Sequence, residues 1–185
     1  RRQRQMCIRD RSLVAHITLA NRLIGDLSGQ RGIYIVPLKA LASEKYEELK
    51  QVCSSVGLKV GLAIGDRSSE TSLVENSDVL VCTSEKLDSM LRSKPSLMDD
   101  IGIVVADEFH LLQDPSRGPT LEILLSRIRH GSPRVQILAL SATVGNAQEL
   151  SEWLEAELVT SNWRPIALYS GTPVSYTHLT LPTIE

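Results

Sequence analysis

Residues 103–112 read Ile-Val-Val-Ala-Asp-Glu-Phe-His-Leu-Leu, an apolar run that ends in two acids, an aromatic and a histidine. A buried strand that meets solvent at Asp107 and Glu108 can present one carboxylate to the water ligands of a Mg²⁺ ion bridging nucleotide phosphates. The neighbouring carboxylate can polarise an attacking water, which is general-base work. His110 is placed to hydrogen-bond across to another strand end. Ordinary solvated loop acids are the plain alternative for an isolated Asp-Glu pair. Against it stands a second polar strand end, Ser141-Ala142-Thr143, although hydroxyls after a strand also cap helices. No earlier segment offers a glycine-rich loop able to hold the phosphates, so half of a nucleotide site is missing.

The elements that must position these residues follow from hydrophobic periodicity. Apolar residues at Leu13, Ile17, Ala20, Ile24 and Leu27 predict a helix that ends near Gly29. "GIYIVP" predicts a buried strand, and "LKALASEKYEELKQV" an amphipathic helix with Leu38, Leu41, Ala42, Leu49 and Val52 inward and charges outward. "KVGLAIGD", "DVLVCTS", "IGIVVADE" and "QILALSAT" predict four more strands. Helices are predicted over "SEKLDSMLR", over "GPTLEILLSRIRH" with Leu121, Leu124, Leu125 and Ile128 inward, and over "NAQELSEWLEAE" with Ala147, Leu150 and Trp153 inward. Apolar strands alternating with amphipathic helices imply an α/β fold, a parallel sheet covered on both faces. Right-handed crossovers then bring every strand's C-terminal end to one rim, where ligands bind in open sheets.

That rim gathers Pro37, Leu38, Lys39, Gly65, Asp66, Thr83, Ser84, Asp107, Glu108, Ser141 and Thr143. Amides after Thr83 and Ser84 can hold a nucleic-acid phosphate, with plain helix capping as the alternative. Lys39 and Lys86 are candidate phosphate-side cations, against a reading as solvated lysines. Trp153 and Trp163 read as packing residues.

The chain has 185 residues, 23% charged and 42% hydrophobic, with a formal charge of -2, the profile of a soluble domain of ordinary size. Three cysteines without paired spacing argue against a disulfide scaffold and for a reducing, cytoplasmic setting. No apolar run approaches the ~20 residues needed to cross a bilayer.

Both ends stand apart. Codons for Met6 to Asp10 are reverse complements of codons for His178 to Val174. The match extends outward to Arg1 and Thr183 and inward to Ser12 and Thr172, then stops at Leu13 and Gly171. An inverted repeat in the DNA has no protein-level rationale, and it looks like a transposon-end sequencing adapter translated on both flanks. Residues 1–12 and 172–185 are therefore expected to be adapter-derived and 13–171 to be the genuine domain. The alternative is a real basic arm, with five arginines in the first eleven residues, and a real C-terminal strand. Excluding both ends leaves the remainder more acidic than the whole.

Seven blocks, "PLKALASEK", "GD", "TSEKLDSMLR", "VVADEFHLL", "RGPTLE", "LALSAT" and "SNWRP", together resemble the consecutive motifs of superfamily-two DExH-box helicases. The wording is most similar to archaeal 3′-to-5′ DNA helicases of stalled replication forks, themselves similar to the helicase part of polymerase theta. The resemblance implies a RecA-like domain of a helicase that uses ATP and Mg²⁺ to move along single-stranded or forked DNA, with a second RecA-like domain elsewhere in the full chain. It implies metal coordination through Asp107, water activation by Glu108, and coupling by His110, Ser141 and Thr143. It also implies contacts to the tracked strand from Pro37, Lys39, Gly65, Asp66, Thr83 and Ser84. Phe109 departs from the aliphatic residue usual there and should face the core. The phosphate loop is expected immediately before the helix that begins near Leu13, so this piece by itself should be inactive. An RNA helicase would share every rim residue, and a degenerate ATPase-like binding module is the non-enzymatic alternative.

Overall fold

The computed structural model describes residues 2–65, 76–132, 134–142 and 146–160, with side chains from residue 11 onward. Five strands form one sheet: β1 (Arg31–Val36), β2 (Val60–Ala63), β3 (Val79–Thr83), β4 (Ile101–Ala106) and β5 (Gln136–Ala139). Their order is β2-β3-β1-β4-β5 and every pairing is parallel. Each strand lies within a run predicted from the sequence, because apolar β-branched stretches buried on both faces have few other places to go.

Helices α1 (Arg2–Ile24) and α2 (Lys39–Ser54) cover one face. Ala15, Leu19, Leu23, Ala42, Leu49 and Cys53 pack there on Tyr34, Val36, Val81, Ile103 and Val105. Helices α3 (Ser84–Ser93), α4 (Gly118–Gly131) and α5 (Ala147–Leu154) cover the other. Leu87, Leu91, Leu124, Leu125, Ile128 and Leu154 pack there on Ile33, Ile35, Val104 and Ala106. Alternate residues of β1 go to opposite faces, as the two-residue period of a strand requires. The sheet is thus the parallel α/β arrangement, covered on both faces, expected from the alternation of elements.

Two helix faces differ from expectation. In α1, Leu13, Ile17 and Ile24 are half-exposed, and the buried face is Ala15, His16, Leu19, Ala20 and Leu23. From Leu13 onward this helix is apolar nearly all round, so periodicity could not choose between faces. In α2, Lys45 lies on the buried side with Ala42 and Leu49, while Leu38 is exposed. The predicted inward face of α4 is buried as expected, and in α5 Ser151 and Leu154 are buried more fully than Leu150 and Trp153. The backbone of α1 runs without a break across the sequence boundary at residue 12, and Ser12 is buried. Residues 161–185, including Trp163 and the C-terminal segment, lie outside the described residues.

Handedness is consistent among the crossovers whose helices are described. The connection β1–α2–β2 runs toward the β2 edge over the α1/α2 face, whereas β3–α3–β4 and β4–α4–β5 run the opposite way over the other face. Among the described residues β5 pairs with β4 on one side and with no strand on the other.

After β4 a single 3-10 turn (Phe109–Gln113) leads to α4, whose first residue, Gly118, sits against the backbone of that turn. A Cβ at Gly118 would run into the Leu112 carbonyl, well inside van der Waals contact. Gly118→Ala should therefore destabilise the fold by about 2–3 kcal/mol, the range for overpacking against atoms that cannot move away. Urea unfolding of the variant beside the parent chain checks this.

Candidate functional site: the carboxylate rim

The chain leaves β4 still tied to both neighbouring strands. Asp107 N–H donates to the Ile35 carbonyl of β1 at 2.9 Å, and Phe109 N–H donates to the Leu140 carbonyl after β5 at 2.8 Å. Glu108 is held between these anchors with φ 51° and ψ 43°, the left-handed region. For a residue with a Cβ that conformation costs about 1–2 kcal/mol. Such strain persists where the surroundings over-determine it, which is frequent at functional sites. The turn directs Phe109 into the core, as expected, and leaves Asp107 and Glu108 partly exposed.

Asp107 is fixed at both oxygens. Tyr34 Oη donates to Oδ2 at 2.9 Å, and the Glu108 N–H donates to Oδ1 at 2.9 Å. Burial, then the charge of Asp107 and the bond to it, push the Tyr34 phenol far above its ordinary pKa, so it remains a donor. His110 Nδ1 lies 3.3 Å from Glu108 Oε2. The angles do not make a hydrogen bond of this approach, and Nδ1 is buried without a partner. The bond from His110 to another strand end expected from the sequence is therefore absent at this nitrogen. The nearby Ser141 Oγ is also buried and unpartnered.

The remaining rim residues divide. Thr83 and Ser84 are buried, and Thr83 Oγ1 accepts from Lys86 N–H at 3.4 Å, so the capping alternative holds for that hydroxyl. Lys86 Nζ donates to the Gly65 carbonyl at 2.6 Å. It ties the turn after β2 to α3 through one of the three donors of the ammonium group. Gly65 turns the chain at φ 80°, a conformation glycine adopts without strain. Lys39 is exposed at the start of α2, and Pro37 lines a crevice with Ser84, Asp107, Glu108 and Arg117. Asp66 and Thr143 lie outside the described residues.

Behind the rim is a polar cluster that sequence reasoning missed. Lys45, 5% exposed, donates to Ser12 Oγ at 2.9 Å and Glu48 Oε2 at 2.8 Å. The buried His16 ring lies 5.7 Å from that of Tyr34, and its Nε2 has no partner. A tyrosine in the middle of an otherwise aliphatic buried strand was the available signal, since a buried phenol needs a partner.

A magnesium ion suits this chemistry. Asp107 supplies hard oxygen at a partly exposed edge, and among the described residues no group of three or more His, Cys, Asp or Glu could enclose a metal. Magnesium keeps waters and takes phosphate oxygens rather than needing an all-protein cage.

A parallel sheet covered on both faces, with paired carboxylates closing a central strand and a hydroxyl-bearing strand end beside it, defines a RecA-like domain. The DEAD/DEAH box helicase family matches residues 11–150, and the chain belongs to that family. It is similar to the ATP-dependent DNA helicase Hel308 of Methanocaldococcus jannaschii, 45% identical over 164 residues, which is 87% of this chain and 14% of that protein. The helicase of the same name from Methanocella arvoryzae is 50% identical over 147 residues, 77% of this chain and 20% of the relative. That from Thermococcus kodakarensis is 47% identical over 161 residues, 87% and 14% respectively. The chain spans less than a quarter of the length of these relatives. Among the described residues no helix is long and apolar enough to cross a membrane.

Two outcomes follow from the geometry. Glu108→Gly relieves a left-handed side chain and should raise the thermal midpoint by about 2 °C, on the order of 1 kcal/mol in a chain of this size. The His16 pKa is lowered by burial and then by Lys45. The unfolded chain therefore takes up the proton first, and this contribution to stability is complete above the unfolded value of about 6.5 and lost as pH falls below it. Thermal midpoints should drop between pH 7.5 and 5.5, and His16→Gln should flatten that slope.

Proposed function

We propose that this chain is part of the first RecA-like domain of an ATP-dependent helicase that translocates along single-stranded DNA and opens forked or duplex substrates. The observation that carries the reading is the strained Glu108 turn, which sets one carboxylate for metal and its neighbour for water at a rim shared with Pro37 and Ser84. Asp107 holds Mg²⁺ through water, and Glu108 accepts a proton from the attacking water. His110, Ser141 and Thr143 relay the nucleotide state. Pro37, Lys39, Gly65, Asp66, Thr83 and Ser84 face the sugar-phosphate chain, with contacts from backbone groups where their side chains are buried. Magnesium bound with ATP supplies charge neutralisation at the phosphates. DNA is preferred over RNA because the relatives above bear the name of DNA helicases.

On this reading residues 13–171 are the native part, and the phosphate loop belongs immediately before Leu13. Handedness favours one position for the strand that would feed the loop. A strand leading into the native part of α1 on the α1/α2 face belongs on the β4 side of β1, where β4 and β5 already fill the two nearest positions. That leaves the outer side of β5, where no strand pairs among the described residues. The loop's lysine and amides, together with a second RecA-like domain, would complete the charge neutralisation that ATP hydrolysis needs.

Joining the chain to a family phosphate loop and to downstream domains should restore ATP hydrolysis stimulated by single-stranded DNA. Glu108→Gln should then lower the rate at least about a hundredfold. Unchanged turnover in that variant would remove Glu108 as the base, and stronger stimulation by RNA than by DNA would reassign the substrate.

A further inference from the structure

Tyr34 stands on β1, a strand with no carboxylate of its own, and is fully buried. Filling that volume needs only an apolar ring. A buried hydroxyl adds a desolvation cost unless it is bonded, and the partner it has is Asp107 Oδ2 at 2.9 Å. A carboxylate's terminal torsion is broad, so packing alone does not fix its plane. Two donors arriving from opposite sides do: Tyr34 Oη at one oxygen and the Glu108 amide at the other.

We infer that Tyr34 is a positioning residue, whose hydroxyl fixes the plane of the Asp107 carboxylate so that the lone pairs left free point to the rim where the metal is held. This rests on the reading of Asp107 as the metal-side carboxylate. Tyr34 does not touch the metal or the nucleotide. It acts through Asp107, as partners behind a ligand commonly do, with an effect on metal affinity of about tenfold or more when removed.

The test uses the chain itself, labelled with ¹⁵N, and manganese ion as the probe. Paramagnetic broadening of the Glu108 and Phe109 amide signals reports Mn²⁺ at the rim and at no other acidic patch. The midpoint of that titration should rise about tenfold in Tyr34→Phe, and the broadening should vanish in Asp107→Asn. p-Methylphenylalanine at position 34, which keeps the volume of the hydroxyl without a donor, should behave as Phe does. p-Aminophenylalanine, which keeps a donor, should return the midpoint to within about twofold of the parent, and a role in packing alone predicts no such rescue. These two substitutions also decide the matter if the Phe variant folds poorly. A parent-like midpoint in the donor-free variants, with broadening lost in Asp107→Asn, would overturn the role of Tyr34 and leave the metal reading standing. Broadening that persists in Asp107→Asn would overturn both.

Discussion

Two backbone hydrogen bonds past the end of β4 govern the rest of the site: Asp107 N–H to the β1 carbonyl of Ile35, and Phe109 N–H to the Leu140 carbonyl after β5. A strand that ended normally would release its chain to solvent at Asp107. Here the chain stays fastened left and right while it reverses into a 3-10 turn, and the single residue between the fastenings takes up the whole change of direction. That residue is Glu108, with its left-handed backbone. The strain and the orientation of both carboxylates have one origin, the insertion of a short turn between two fixed neighbours. The same geometry requires Gly118, because the returning chain passes against the Leu112 carbonyl.

The parallel sheet was legible in the sequence because its strands are short apolar runs, "IGIVV" and "VLVC" among them, bounded by polar or turn residues. Such runs admit few placements once helices separate them. The rim followed from the handedness of the crossovers, and Asp107 and Glu108 stood out because they close an apolar run and are met by a second polar strand end, Ser141-Ala142-Thr143. What escaped had physical reasons. The buried face of α1 was misassigned because Leu13, Val14, Ala15, Ile17, Leu19 and Leu23 surround the axis. Lys45 was read as solvated because nothing local announces that Ser12, thirty-three positions earlier, will bond its ammonium. The left-handed Glu108 was invisible because the usual marker for that conformation is glycine, and glycine cannot carry a carboxylate.

The cluster of Ser12, His16, Tyr34, Lys45 and Glu48 places polar chemistry in a face that is otherwise aliphatic. Buried polar groups of this kind add little net stability when satisfied and cost considerably when they are not. In the native part the Tyr34–Asp107 bond ties β1 to the turn after β4 at a defined distance, where a purely apolar interface would tolerate sliding, while the bond from Lys45 to Ser12 involves a residue expected to be adapter-derived. The unpartnered His16 Nε2 shows that the cluster is not saturated.

The open side of β5 also affects how the isolated piece behaves in solution. Residues Gln136 to Ala139 are incompletely buried, and among the described residues no strand pairs with the outer side of β5. Wherever such an edge is left uncovered, its amides and carbonyls beside Ile137 and Leu138 are a template for any extended segment that meets it. A second molecule can offer such a segment as readily as the same chain can, and self-association through an uncovered edge grows with concentration. Chaotrope-free storage at low concentration, or a strand tethered to that edge, is the practical remedy.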